Sequence, residues 1–548
     1  MIYKDILHIA LVIVLAAVLF WAAGYSKKYR GAFWRLLYIA PGLLLMFIPA
    51  YAGFEKTMIL AYIGTVLLFL GFFTDKTAVR RILCGSAAAV TLLSVPAALS
   101  SKAYRKPDFL VSFEEGFDEM KARYVLTEHK QINWDELYSK YHPQFVKIQN
   151  DHDEIANFAA WRRFCGEFHD AHVGYIPKDD SVVEMAMKKL FGNDYGLCIL
   201  CLEDGSAAAV DVSDEVKAKG IHNGTVITAW DGMTPEEANL RSDAYGLLSY
   251  SDIDNEYFFR TELAAGVGGD TVEVTYIDDN GQEQKTMLSA NGDRYYDRWE
   301  KAIMDKLDGG LNIGHLQWKK LTDETYCLRI KTMSYDSDTY TSTDYSKMKN
   351  ELKEYILNAK KEGMKNIILD IRTNNGGDPY LCDAVAELVA AKGTYFHAYD
   401  AVWDFDNKCY AKDENGNYIR GDKLTVRGED ILDGGKVIVL VNHNSVSAAD
   451  DMVMLMRRIP NATVMGFTES CGVCQAISSF SVDSGTICLS SCVVLDEDGS
   501  IFVDAGPDRQ AKTKLDIRIP FDEEALTAIY DRGEDYLLDK ALEQLANR

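Results

Sequence analysis

Val441-Asn442-His443-Asn444-Ser445-Val446-Ser447-Ala448-Ala449-Asp450 is the stretch on which the fold turns. An apolar run at Lys436–Asn442 reads as a strand, and the residues after Ala448 read as a helix. Ser447 stands at the junction between small neighbours. A serine there exposes its hydroxyl at the top of a sheet, and the first free N–H groups of the helix aim at the same point. A nucleophile needs that arrangement, because the oxyanion forms beside it. Ser445 or Ser447 as a plain helix cap explains the same spacing, so spacing alone does not decide.

The pattern around it repeats. Asn366–Ile371 is an apolar strand, followed by Arg372-Thr373-Asn374-Asn375-Gly376-Gly377-Asp378. The paired glycines let backbone N–H groups approach a ligand oxygen with no Cβ in the way. Tyr345–Glu362 and Leu381–Ala391 read as amphipathic helices, and Tyr326–Ile330 as a further strand. Apolar strands alternating with helices predict a mostly parallel sheet covered by helices, an α/β fold.

Towards the N-terminus the periodicity changes. Short β-type runs at Cys198–Leu202, Ala207–Val212, Thr225–Trp230 and Thr271–Ile277 alternate with turns, and Asp278-Asp279-Asn280-Gly281 predicts a hairpin. Before them, Phe113, Phe117, Met120 and Tyr124 mark one face of a helix, and a second helix is expected over Asn157–Phe168. That helix leads into Asp170-Ala171-His172, where His172 is a candidate general base. His169 lies three residues earlier, but no third ligand at a plausible spacing joins the pair, so no metal is expected.

The chain has 548 residues and a net charge of −24, which excludes a general nucleic-acid binder. The charge is uneven. Residues 1–101 hold nine Lys/Arg and three Asp/Glu, and this +6 leaves −30 for the remainder. Four apolar stretches, near 6–24, 36–54, 57–74 and 82–100, each match a bilayer in length and predict four transmembrane helices. Basic residues cluster after the first stretch (Lys27, Lys28, Arg30, Arg35) and after the third (Lys76, Arg80, Arg81). These loops belong on the cytoplasmic side, which places a multi-pass protein in the cell membrane with its body extracellular. Eleven cysteines include the pairs Cys198/Cys201, Cys471/Cys474 and Cys488/Cys492, and their redox state stays open.

Taken in order, these pieces resemble the C-terminal processing (tail-specific) serine peptidases, from about Phe113 to Phe521. Ile132–Tyr138 resembles the family's helical N-terminal region, and Asp170-Ala171-His172 its Asp-x-His segment. Tyr195-Gly196-Leu197, Gly220–Ile227 and Trp230-Asp231-Gly232 resemble its PDZ-type module. Ile368–Gly377 resembles the strand and glycine turn, and Ser445–Asp450 the nucleophile turn, which selects Ser447 over Ser445. The lysine that a Ser/Lys branch carries about twenty-five residues after the nucleophile is missing, so the resemblance points to the Ser-His-acid branch.

The resemblance implies a crotonase/ClpP-like core with a helical N-terminal region and an inserted PDZ-like β module. The expected division is an anchor over 1–101, the helical region over 102–187, the PDZ-like module over 188–291 and the catalytic core over 292–548. Ser447, His172 and Asp504 would form the triad, with Glu497 as the reserve acid and Asp450 as structural support. Gly376 or Gly377 and Ala448 would line the oxyanion hole, and Tyr195, Gly196 and Leu197 would capture a C-terminal carboxylate. No cofactor is implied. The expected partners are a protein or peptide substrate and the lipid bilayer, with no nucleic acid. The competing function is an inactive peptidase-like sensor that binds peptides at the cell surface.

Overall fold

Three polar caps start the first helices, and their spacing sets the N-terminal layer. Asp108 accepts from the Val111 N–H and opens α1 (Phe109–Arg123). Asn133 does the same for α2 (Trp134–Asp151), and Asp153 for α3 (Glu154–Gly166). The structure, a computed structural model, describes residues 107–292, 294–310, 316–334 and 345–546. The face anticipated for α1 is the buried one: Phe113, Phe117, Met120 and Tyr124 all lie in the core. Phe113 stacks on Phe145 of α2 at 4.2 Å between ring centres, and Trp161 of α3 stacks on Tyr175 at 5.2 Å. Tyr175 belongs to β1 (Gly174–Pro177), just beyond His172.

The middle of the chain is the anticipated small β assembly. β2 (Cys198–Cys201) and β3 (Ala207–Val210) form an antiparallel hairpin. β4 (Ile227–Trp230), β5 (Thr271–Ile277) and β6 (Glu283–Ser289) form an antiparallel sheet. The turn between β5 and β6 falls at the expected tetrad, where the Asp278 N–H donates to Gln282 O at 2.9 Å.

The third part is α/β. Its main strands are β7 (Leu316–Lys320), β8 (Thr325–Ile330), β9 (Asn366–Asp370), β10 (Gly393–Ala401), β11 (Arg420–Gly428), β12 (Val437–Leu440), β13 (Ala462–Gly466), β14 (Ile477–Val482), β15 (Gly485–Ser490) and β16 (Ile517–Arg518). The main helices are α4 (Tyr345–Lys361), α5 (Pro379–Val389), α6 (Ala448–Met456) and α7 (Tyr536–Ala546). Six strands make the central sheet in the order β16-β13-β12-β9-β8-β7. Every neighbouring pair is parallel except β7–β8. Alternate residues serve its two faces. Ile367, Leu369, Val437 and Val439 pack with residues of α4, α5 and α6, while Ile368, Ile438 and Leu440 pack with Ala541 and Leu545 of α7. Burial on both faces is why these strands read as continuous apolar runs.

Two antiparallel additions were not foreseen. β10 pairs with β11, and the β14–β15 hairpin takes up β1 along its β15 edge. The second addition carries the His172 turn to the core. In the first, His397 of β10 lies 2.7 Å from Asp451 of α6 and 3.0 Å from Asp383 of α5, the latter an ion pair poorly aligned for a hydrogen bond. Burial alone would lower the imidazole pKa, but the two carboxylates overrule it and push it up to about 10.

The four transmembrane helices are not supported. Among the described residues no helix is long and apolar enough to cross a membrane. α2, at 18 residues, carries Asp135, Glu136, Lys140, Lys147 and Asp151, charges that the hydrocarbon core does not accept. The stretch 1–101 lies outside the described residues. The described residues form a mixed α/β fold, and the four transmembrane helices and the multi-pass membrane placement with an extracellular body are not supported.

Candidate active site

β12 ends at Leu440 and α6 begins at Ala448, so the nucleophile turn connects a core strand to a core helix. Ser447 occupies the cap position with φ 63° and ψ −119°, and its side chain does not cap the helix. A residue with a Cβ held there costs about 1–3 kcal/mol, which the surrounding contacts must supply. The Ser447 N–H donates to Val473 O at 3.0 Å and the Val446 N–H to Asn374 O at 2.9 Å. Ser445 behaves differently. It is fully buried, donates to Ile371 O at 2.8 Å and accepts from the Asn442 N–H. Ser445 is therefore a structural bond and Ser447 an uncommitted hydroxyl.

The glycine turn after β9 packs directly against Ser447. Gly376 has φ +80°, and a Cβ on it would sit 2.5 Å from Ser447 Cβ and 2.6 Å from Val446 O. Only glycine fits there. The three expected oxyanion donors are not equivalent. The Gly376 N–H is engaged by Asn374 Oδ1 at 2.9 Å, which corrects its expected part. The Gly377 and Ala448 N–H groups have no hydrogen-bond acceptor among the described residues. Ala448 N lies 3.1 Å from where a Gly376 Cβ would be, so the two backbones are in contact.

Asp450, one turn into α6, fixes the loop opposite. Its buried carboxyl accepts from Ser470 Oγ at 2.5 Å, Gly472 N at 2.9 Å and Val473 N at 3.0 Å. Burial pushes it up to about 8 despite those donors. The same loop reaches Asp504. Cys474 N and Gln475 Nε2 donate to Asp504 Oδ2 at 3.2 and 2.9 Å.

His172 and Asp504 lie close enough to feel each other. The His172 N–H donates to Asp170 Oδ1 at 2.9 Å, and Asp170 Oδ2 accepts from Tyr124 and Ser490 at 2.9 Å each. Asp170 is thereby fully engaged in holding the turn. His172 Nδ1 and Asp504 Oδ1 are both buried and both lack a partner. Burial and the Asp170 charge raise the Asp504 carboxyl, while Lys130, Gln475 and His172 oppose them. The Ser447 hydroxyl makes no hydrogen bond among the described residues, so a contact to His172 is not formed here. Such contacts commonly tighten only with substrate.

The reserve acid falls away. Glu497 is exposed in a turn. His443 is buried against Phe259 at 4.4 Å between ring centres, and burial lowers its imidazole pKa to about 3, leaving a poor proton acceptor. The expected carboxylate loop is also closed. Tyr195, Gly196 and Leu197 are buried, and the Gly196 N–H donates to Asp194 Oδ1 at 2.8 Å. Asp194 is itself clamped by Arg298 at 2.5 and 3.0 Å, so a carboxylate of this chain sits where a guest carboxylate was expected. The free edge of β2 is capped by Thr261, whose Oγ1 donates to Ile199 O at 3.1 Å.

Sequence reasoning missed Asn374, Gln475, Tyr124 and Ser490, all polar residues whose only signal is burial. The ten cysteines among the described residues are free thiols. Among the same residues no cluster of three His, Cys, Asp or Glu could hold a metal.

The structure of mature CPAF complexed with lactacystin matches over 80% of this chain and 99% of its own, at 13% identity and a TM-score of 0.51. That likeness concerns the fold. The photosystem II D1 C-terminal processing protease matches over 78% and 98%, at 15% identity, but its TM-score of 0.33 is too low to carry an argument. A search of curated proteins finds no match. Residues 106–154 match the Tricorn protease C1 domain. Residues 325–504, which include both Ser447 and Asp504, match peptidase family S41, and this places the chain by enzyme class among the serine-type peptidases.

Proposed function

We propose that the protein is an endopeptidase in which Ser447, His172 and Asp504 act together on polypeptide substrates. The observation that carries this reading is Ser447 itself, strained, uncapped and beside two unused backbone donors. Ser447 Oγ attacks the scissile carbonyl carbon. His172 Nε2 takes the hydroxyl proton and returns it to the leaving amine. Asp504, whose Oδ1 has no partner, serves as the acid that orients the imidazole and stabilises the imidazolium. The Ala448 and Gly377 N–H groups hold the oxyanion. A cleft of about 560 Å³ adjoins the base-bearing turn, lined by His169, Tyr141, Tyr250 and Phe259 but by none of Ser447, His172 or Asp504. Preference for C-terminal tails would require the Tyr195–Leu197 loop to open.

The competing reading, a peptide-binding sensor without turnover, rests on the missing Ser447–His172 contact. Hydrolysis of a fluorescent polypeptide by the full chain separates the two. Ser447→Ala and His172→Ala should each abolish turnover, and the double variant should be no worse than either, because the pair works as one unit. Turnover that survives Ser447→Ala would end the proposal.

A further inference from the structure

Asp504 is an acid placed at a disadvantage. It is 2% exposed, and a second carboxylate, Asp170, raises it further. Tyr124, Asp450, Cys471 and Cys474 also face it, from α1, α6 and the 470–475 loop, and none brings a positive charge. The cation on the other side comes from the connection between α1 and α2. Lys130 Nζ donates to His169 O at 3.0 Å and to Ala505 O at 3.1 Å. The first carbonyl adjoins Asp170 on the base-bearing turn, and the second adjoins Asp504. His129 Nε2 reinforces the seam at 3.0 Å from Asp504 O. Among the described residues Lys130 has no carboxylate within ion-pair distance, so its charge is not spent elsewhere. Of the charges acting on Asp504, Lys130 is the strongest that favours the carboxylate.

We propose that Lys130 is a positioning residue of the hydrolytic site, tying the base-bearing turn to the acid-bearing segment and supplying the counter-charge to Asp504. The inference rests on Asp504 being the acid of the proposed function. Lys130 touches neither substrate nor Ser447. Its effect passes through the charge of Asp504 and the spacing of two backbone carbonyls. Removing the cation leaves Asp504 facing Asp170 with His172, Gln475 and the Cys474 N–H to hold its charge, so the acid should ionise at higher pH.

The test uses the full chain with Lys130→Met and Lys130→Arg, and Lys130→Gln should methionine pack badly. Lys130→Met should lower kcat about 10- to 100-fold at pH 7 with KM within about two-fold, as expected for an interaction felt in the transition state. The acid limb of kcat/KM should move up by about one pH unit, the size of a neighbouring-charge effect. Lys130→Arg should restore the limb. A second arm needs no activity: the melting temperature of wild type, Lys130→Met, Asp504→Asn and the double variant is followed from pH 5 to 9. The Lys130→Met penalty should grow with pH in the wild-type background and stay flat beside Asp504→Asn. An unmoved acid limb, or a penalty equally pH-dependent without Asp504, overturns the proposal. A wild type that shows no Ser447-dependent hydrolysis would sink the peptidase reading, and the melting arm would still decide the Lys130–Asp504 coupling.

Discussion

Replacing Gly376 with alanine tests whether the glycine turn shapes the nucleophile. The new Cβ would meet Ser447 Cβ at 2.5 Å, Val446 O at 2.6 Å and Ala448 N at 3.1 Å, on a residue with φ +80°. The left-handed backbone alone costs about 1–2 kcal/mol. Forcing a methyl into a filled site adds about 1–3 kcal/mol. The neighbours are backbone and a short side chain, so no flexible tip can swing aside. If the Ser447 turn yields, a cost of about 2–5 kcal/mol becomes about a 30-fold to several-thousand-fold loss of rate. Gly434→Ala is the control, with φ +82° and nothing within 4 Å of its added Cβ. It carries the backbone cost without the collision. The assay is turnover of a fluorescent polypeptide, with the melting temperature recorded in parallel. Gly376→Ala should lose activity out of proportion to its stability, and Gly434→Ala should lose a little stability and no activity. Equal turnover in the two variants would refute the claim that Gly376 holds the nucleophile in place.

Further expectations follow from the same contacts. Asp504→Asn should cut turnover by orders of magnitude, up to about 10⁴-fold, because the wrong histidine tautomer is then favoured; exposed Glu497→Gln should not, and the reverse outcome would move the acid. Asp450 is raised in the fold from 3.8 to about 8, so the folded state binds its proton more tightly and stability falls as pH rises from about 4 through 8. Asp450→Asn should remove that slope from the melting curve, at a cost of about 1–3 kcal/mol for the lost acceptor towards Val473. His397 is raised from 6.5 to about 10, so its clamp is fully present below pH 6.5 and is lost as pH rises through 10. His397→Gln should therefore lower the melting temperature at neutral pH and leave it nearly unchanged above pH 10, and an equal loss at both would contradict the charged clamp.

Legibility in the sequence followed the range of the forces involved. The parallel sheet was readable because Ile367–Leu369 and Val437–Leu440 are apolar on both faces, a purely local pattern. The Ser445–Ser447 turn was readable from small neighbours at a strand-to-helix junction, and the resemblance singled out Ser447. His172 was readable locally as a candidate base, but its pairing with Asp504 was reached only through resemblance, since 332 residues separate them and no period links them. Gly376 and Gly377 were located together, but which one keeps a free N–H depends on the Asn374 side chain. The contact of Asp194 with the Gly196 N–H was not legible from the Tyr195–Leu197 loop, because Arg298, which holds Asp194, lies 104 positions away. The β10–β11 pair went unseen because Arg420–Gly428 is mostly exposed and polar. The membrane reading rested on apolar length and basic loops in the first 101 residues, which lie outside the described residues.

The most direct measurement is site mapping of a fluorophosphonate adduct by mass spectrometry on the full chain, because only an activated serine reacts. The account predicts one adduct, on Ser447, that is lost in His172→Ala and strongly slowed in Asp504→Asn. No adduct, or an adduct on Ser447 that forms as fast without His172 as with it, would contradict it.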